Sequence, residues 1–88
     1  MKANKIDFDM IKNVLDNQVT YEDDNFIIRN DEFDITVWGQ TRDKAQEAFG
    51  FTFHALYKNY MLEKDENLSD KAVELKNKLK LIIKKITH

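Results

Sequence analysis

Residues 33–45 read FDITVWGQTRDKA, and this stretch decides the fold. Phe33, Ile35 and Val37 alternate with Asp34, Thr36 and Trp38, the period of two that marks a half-buried strand. The alternation stops at Gly39. Thr41 then stands where a helix N-cap belongs, its hydroxyl able to accept a backbone N–H of the first turn, and Asp43 complements the helix dipole. A sharp strand-to-helix corner is expected, with glycine letting the chain leave the sheet.

Beyond the corner, Ala45, Phe49, Phe53, Leu56 and Tyr60 recur at helical spacing and predict a helix over 41–62 whose apolar stripe lies on the sheet. A weaker stripe of Phe51, Ala55 and Leu62 runs roughly opposite and asks for cover of its own. Gly50, inside the helix, costs about 1 kcal/mol relative to alanine, which points to a close contact or a kink. Before the corner, segments 19–22 and 26–29 are separated from each other and from 33–38 by Asp23-Asp24-Asn25 and Asn30-Asp31-Glu32. Turn chemistry of this kind predicts an antiparallel meander over 19–38.

The ends of the chain read as helices. Met10, Ile11, Val14 and Leu15 behind the candidate caps Asp7 and Asp9 predict an N-terminal helix within 1–18. After a charged linker, Ser69 opens a helix over 69–87 in which Leu68 and Val73 can staple the cap. Its seam is Ala72, Leu75, Leu79, Ile82 and Ile86, broadened by Leu81 and Ile83. That seam is the expected cover for the weaker stripe, in the same chain or across a dimer. The whole of 1–88 reads as one α+β domain: a three-stranded antiparallel sheet, a long helix on one face, a short N-terminal helix and a C-terminal amphipathic helix.

The chain has 88 residues and a net charge of −2, but the charge is unevenly placed. Residues 1–70 carry eight Lys and Arg against fifteen Asp and Glu, a balance of −7; residues 71–88 carry six Lys against one Glu, a balance of +5. An acidic body favours basic partners, whereas the tail favours acidic ones. A chain this short buries only about 60–65% of its unfolded surface, so help from a second copy or a partner is in keeping with its size. Cysteine is absent, which removes disulfides, thiolate metal sites and a cysteine nucleophile. No apolar run approaches the roughly 18 residues of a membrane span, and the N-terminus lacks a signal-peptide core. A cytoplasmic protein without a membrane partner is expected.

No constellation for catalysis emerges. His54 is the only internal histidine, with His88 at the terminus, and reads as an ordinary helix residue. Asp23, Asp24, Asp31, Glu32 and Asp34 cluster at two turns, where Asp is favoured for local hydrogen bonding, and their spacing lacks the glycine of a calcium loop. Asp43 and Glu47 read as surface charges, Ser69 as a cap, and Gly39 and Gly50 belong to no phosphate-binding run. Catalytic residues, cofactors and metals are therefore not expected. Lys76, Lys80 and Lys84 are candidate nucleic-acid contacts on the last helix, though lysine is also its ordinary solvent-facing residue and no aromatic interleaves to stack bases. Trp38 and Phe51 are candidate apolar anchors of a protein interface, with burial in the monomer the favoured reading for Trp38.

Three antiparallel strands followed by Gly39-Gln40-Thr41-Arg42-Asp43-Lys44-Ala45, with a further alanine at Ala48, resemble the HicB-like antitoxin domain and its G-x-T-x-E-E-A turn. The resemblance covers about residues 19–62. It implies a partial ribonuclease-H-like fold without catalytic carboxylates, which forms homodimers and occludes a small, basic, RNA-cleaving HicA-type toxin. Lys44 stands where the family usually has an acid, the proline-containing segment before the glycine is missing, and the N-terminal helix is additional. Residues 69–88 suffice for one helix rather than for an appended operator-binding domain. The function expected is non-catalytic protein binding as a HicB-like antitoxin or orphan relative, with Asp31, Glu32 and Asp34 facing a basic partner and Trp38 and Phe51 as anchors. The alternatives are a nucleic-acid-binding accessory that uses the lysine helix and a phage-type inhibitor of a host enzyme.

Overall fold

A computed structural model describes residues 6–86. Residues 1–5 of the expected N-terminal helix, residue 87 of the expected C-terminal helix and His88 lie outside that range. The described chain runs α1 (Phe8–Ile11), β1 (Gln18–Glu22), β2 (Asn25–Asn30), β3 (Ile35–Gly39), α2 (Arg42–Leu62), a 3-10 turn (Asp65–Asn67) and α3 (Asp70–Ile86). The fold is α+β, with the sheet in the order β1-β2-β3 and both pairings antiparallel.

The two turns of the meander are built by aspartates. Glu22 pairs with Asn25, leaving Asp23 and Asp24 as a two-residue loop, both at positive φ (53° and 64°). Positive φ at both central residues gives a turn whose twist matches the strands, and Asp tolerates it better than most residues. Asn25 steadies the loop by donating its side-chain N–H to the Asp23 carbonyl. The second turn is longer than expected: β3 begins at Ile35 rather than at residue 33, so Phe33 and Asp34 belong to the turn. Phe33 is nonetheless buried, because it plugs the end of the core edge-on to Phe53, ring centroids 5.6 Å apart.

Ile28, Ile35 and Val37 point from β2 and β3 onto α2, which returns Ala45, Phe49 and Phe53, all three fully buried. Each such large side chain contributes about 1.5–3 kcal/mol by leaving water. Thr41 caps α2 as expected, its Oγ1 accepting the Lys44 N–H at 3.1 Å. Gly39 matters at this corner through close approach: a Cβ there would lie 2.6 Å from the Ala45 nitrogen and 2.8 Å from the Lys44 carbonyl carbon. Gly50 plays the same part where α1 crosses α2, since its Cβ would lie 2.9 Å from the Phe8 nitrogen. The contact alternative, rather than a kink, accounts for it.

Three expectations are corrected. The N-terminal helix is a single turn capped by Asp7, followed by turns in which Val14 and Leu15 both bond back to the Ile11 carbonyl; burying Ile11 and Leu15 needs no longer helix. The seam of α3 does bury Leu79 and Ile82, but against the common core, with Leu81 turned to solvent. It therefore leaves Phe51, Ala55 and Leu62 of α2 uncovered. Trp38 is 65% exposed, because the sheet has helices on one face only and Trp38 lies on the other.

Candidate functional site

The turn after β2 is pinned from inside. Asn30 is buried; its Oδ1 accepts the Phe33 N–H at 2.9 Å, and its Nδ2 donates to Asn17 Oδ1 at 2.9 Å. With Phe33 held inward and Asp34 in left-handed backbone (φ 54°), the carboxylates of Asp31, Glu32 and Asp34 are left at the surface. They form one lip of a cleft of about 700 Å³.

The opposite lip comes from the helices. Leu56 and Tyr60 reach it from α2, and Lys71, Ala72 and Leu75 from the first turns of α3. Ser69 also lines the cleft, but its hydroxyl is occupied as the α3 cap, accepting the Ala72 N–H at 3.1 Å. Phe33, Leu56, Tyr60, Ala72 and Leu75 make an apolar lining beneath acidic groups. Such a surface takes an apolar side chain flanked by cations.

Charge at the rim is only partly spent. Glu32 pairs with Lys78 at 3.3 Å, and Lys78 also reaches Glu74 at 3.9 Å. Among the described residues, Asp31 and Asp34 have no ion pair.

The second lip is fixed by Lys76. Its ammonium donates to the Glu63 carbonyl at 2.8 Å and to Asp65 Oδ1 at 2.9 Å, tying α3 to the end of α2. Asn67 adds a bond to Glu63 Oε1 at 2.8 Å. The Lys76 hydrogen bond and then its charge hold the Asp65 carboxyl below its ordinary range against the opposing effect of burial, with a lesser contribution from Lys80.

The expected site residues are thus divided among three places. Asp31, Glu32 and Asp34 stand together on the cleft. Trp38 lies on the bare sheet face, and Phe51 (67% exposed) on the outer side of α2; neither borders the cleft. Lys76 is 8% exposed and committed to the α2–α3 connection, so Lys76, Lys80 and Lys84 do not form one row, although Lys80 and Lys84 are exposed. Tyr60, Lys71 and Leu75 were not expected at a site. Tyr60 carried the one available signal, a hydroxyl in a stripe that otherwise uses alanine, phenylalanine and leucine.

Among the described residues, no three His, Asp or Glu side chains are grouped to hold a metal ion, and no helix is long and apolar enough to cross a membrane. Comparison with protein-family models, with curated proteins and with solved structures gave no match, so the cleft must be interpreted from its own chemistry.

Proposed function

We propose that the chain is a non-catalytic protein-binding module of the HicB-like antitoxin kind, whose cleft receives a basic segment of a small RNA-cleaving toxin. The observation that carries the reading is the pairing of an apolar lining with two unpaired carboxylates, Asp31 and Asp34, at its mouth. The strand order and the Gly39-x-Thr41 corner agree with the resemblance noted from the sequence.

The two parts of the cleft divide the work. Burying roughly 50 Å² of an apolar partner side chain against the half-buried Leu56, Tyr60 and Leu75 contributes about 1.3 kcal/mol. An exposed ion pair at Asp31 or Asp34 contributes about 0.2–1 kcal/mol. The lining therefore supplies affinity, while the carboxylates steer encounter and set orientation. Inhibition follows from occlusion of the partner's RNA-binding surface, with no bond made or broken in either protein.

The test is affinity capture from the native host with two baits, the wild type and Asp31→Lys/Asp34→Lys. The wild type is expected to retain a small basic protein that the variant loses, that roughly 0.5 M salt weakens by screening, and whose RNA cleavage the wild type suppresses. An acidic partner, or one held equally by both baits, overturns the reading.

A further inference from the structure

The bare face of the sheet carries a hollow of about 280 Å³, separate from the cleft. Strand register places its residues. Ile27 lies directly beside Trp38, and two residues along β2 Arg29 lies beside Thr36. At the other end Glu22 closes β1 opposite Asn25, and Asp23 follows it into the hairpin turn. A strand rises about 3.4 Å per residue, so the Glu22 and Arg29 positions stand about 14 Å apart along the sheet. Trp38 and Ile27 fall between them. The hollow is therefore acidic at one end, basic at the other and apolar in the middle.

Its functional groups are all unspent. Among the described residues, the side chains of Glu22, Asp23 and Arg29 make no ion pair and no hydrogen bond. Trp38 is 65% exposed, and its ring belongs to no aromatic pair or cation–π contact. An indole left bare between an unpaired guanidinium and two unpaired carboxylates has the parts of a stacking site with both ends of its ligand specified.

We propose that this hollow binds a guanine mononucleotide, its base stacked on Trp38, its Watson–Crick edge toward Glu22 and Asp23, and its phosphate on Arg29. A base stacks on an aromatic ring whatever its identity, so Trp38 supplies attachment without choice. The carboxylates supply the choice. Guanine presents two adjacent donors, N1–H and N2–H, which one carboxylate accepts in parallel. Adenine and cytosine set an acceptor beside a single donor, and uracil sets its one donor between two carbonyls. Each of those turns a lone pair toward the carboxylate and is repelled.

The other end fixes the phosphate count. Arg29 is the one cation lining the hollow, and its planar fork suits a single phosphate bound through two oxygens. Thr36, beside Arg29 on the same face, supplies a hydroxyl at the position of the sugar. A polynucleotide is disfavoured, because its further phosphates would lie over a body that carries −7 across residues 1–70. The hollow and the cleft share no lining residue, so this site stands whether or not the cleft takes a toxin.

Trp38 is the chain's single tryptophan, so a stacked base should quench its emission directly. Guanosine monophosphate titrated into the wild type should quench saturably and bind at least about tenfold tighter than the adenosine, cytidine and uridine monophosphates. Amides of β1 should gain protection, since the ligand bridges all three strands. Glu22→Gln/Asp23→Asn should abolish the preference for guanine; asparagine keeps the left-handed backbone of the turn (φ 53°). Arg29→Gln should weaken guanosine monophosphate several-fold and leave guanosine unchanged. All three positions are exposed, and circular dichroism checks that each variant folds. Absence of saturable quenching at millimolar nucleotide overturns the proposal, as does equal quenching by all four monophosphates, which is stacking without recognition. So does a guanine preference that survives the carboxylate variant, or a guanine-containing tetranucleotide that binds tighter than the mononucleotide.

Discussion

The backbone N–H of Ile6 donates to His54 Nδ1 at 3.1 Å, joining the first described residue to the middle of α2 across 48 positions. Ile6 is buried, so its amide has few other partners. His54→Phe keeps a ring in place but removes the acceptor. Leaving a shielded donor unpaired costs about 1–3 kcal/mol. Urea unfolding should show that loss with an unchanged m-value, and His54→Gln, which can still accept, should lose less.

Two opposed effects meet at Gly50. Alanine is the better helix former by about 1 kcal/mol, but its Cβ would sit 2.9 Å from the Phe8 nitrogen and 3.3 Å from two backbone atoms of Asp7. Backbone cannot give way as a side-chain tip can, and a clash of this kind costs about 1–3 kcal/mol. Gly50→Ala should therefore destabilise on balance, with amide protection around Ile11 falling before that of β2. Gly39→Ala meets tighter contacts and should cost more.

Asp24 sits at φ 64° and is exposed. Glycine adopts that conformation without strain, so Asp24→Gly should raise stability by about 0.5–1 kcal/mol. Thermal unfolding is a sufficient readout, and a fall in the midpoint would mean that the carboxylate makes an interaction beyond the turn geometry.

Acid should weaken the α2–α3 connection through Asp65. The Asp65 carboxyl is lowered in the folded chain, chiefly by the Lys76 hydrogen bond, from an ordinary value of 3.8. Its contribution is therefore fully present above that pH and is lost as pH falls toward the folded value, because the unfolded chain takes up the proton first. Asp65→Asn should flatten the decline of the unfolding midpoint below about pH 4 while leaving the slope between pH 6 and 8 unaltered.

The parts of the fold legible in the sequence are those in which one periodicity met one surface. Ile35 and Val37 alternate because the helix covers one face of the sheet, and Ala45, Phe49 and Phe53 recur because one side of the helix packs on that face. Spacing failed where burial and helix length part company, as at Ile11 and Leu15, which are buried from turns. It also failed where a residue type has two uses. Lys76 follows the same pattern as its exposed neighbours, and only the returning Glu63–Asp65 segment, eleven or more positions away, gives its charge an internal partner. The acidic lip was legible as turn chemistry, but the cleft beside it depends on where α3 docks, which no local pattern records.

β1 stands outside the core: all five of its residues are exposed, and its ladder to β2 is what holds it. β1 is thus a peripheral strand on a body that keeps β2 in its core, and local opening of β1 needs less free energy than global unfolding. A fluorophore or short epitope placed between Asp23 and Asp24 would ride on that strand at the end of the sheet away from the cleft, and would make the protein traceable in the cell without disturbing the acidic lip.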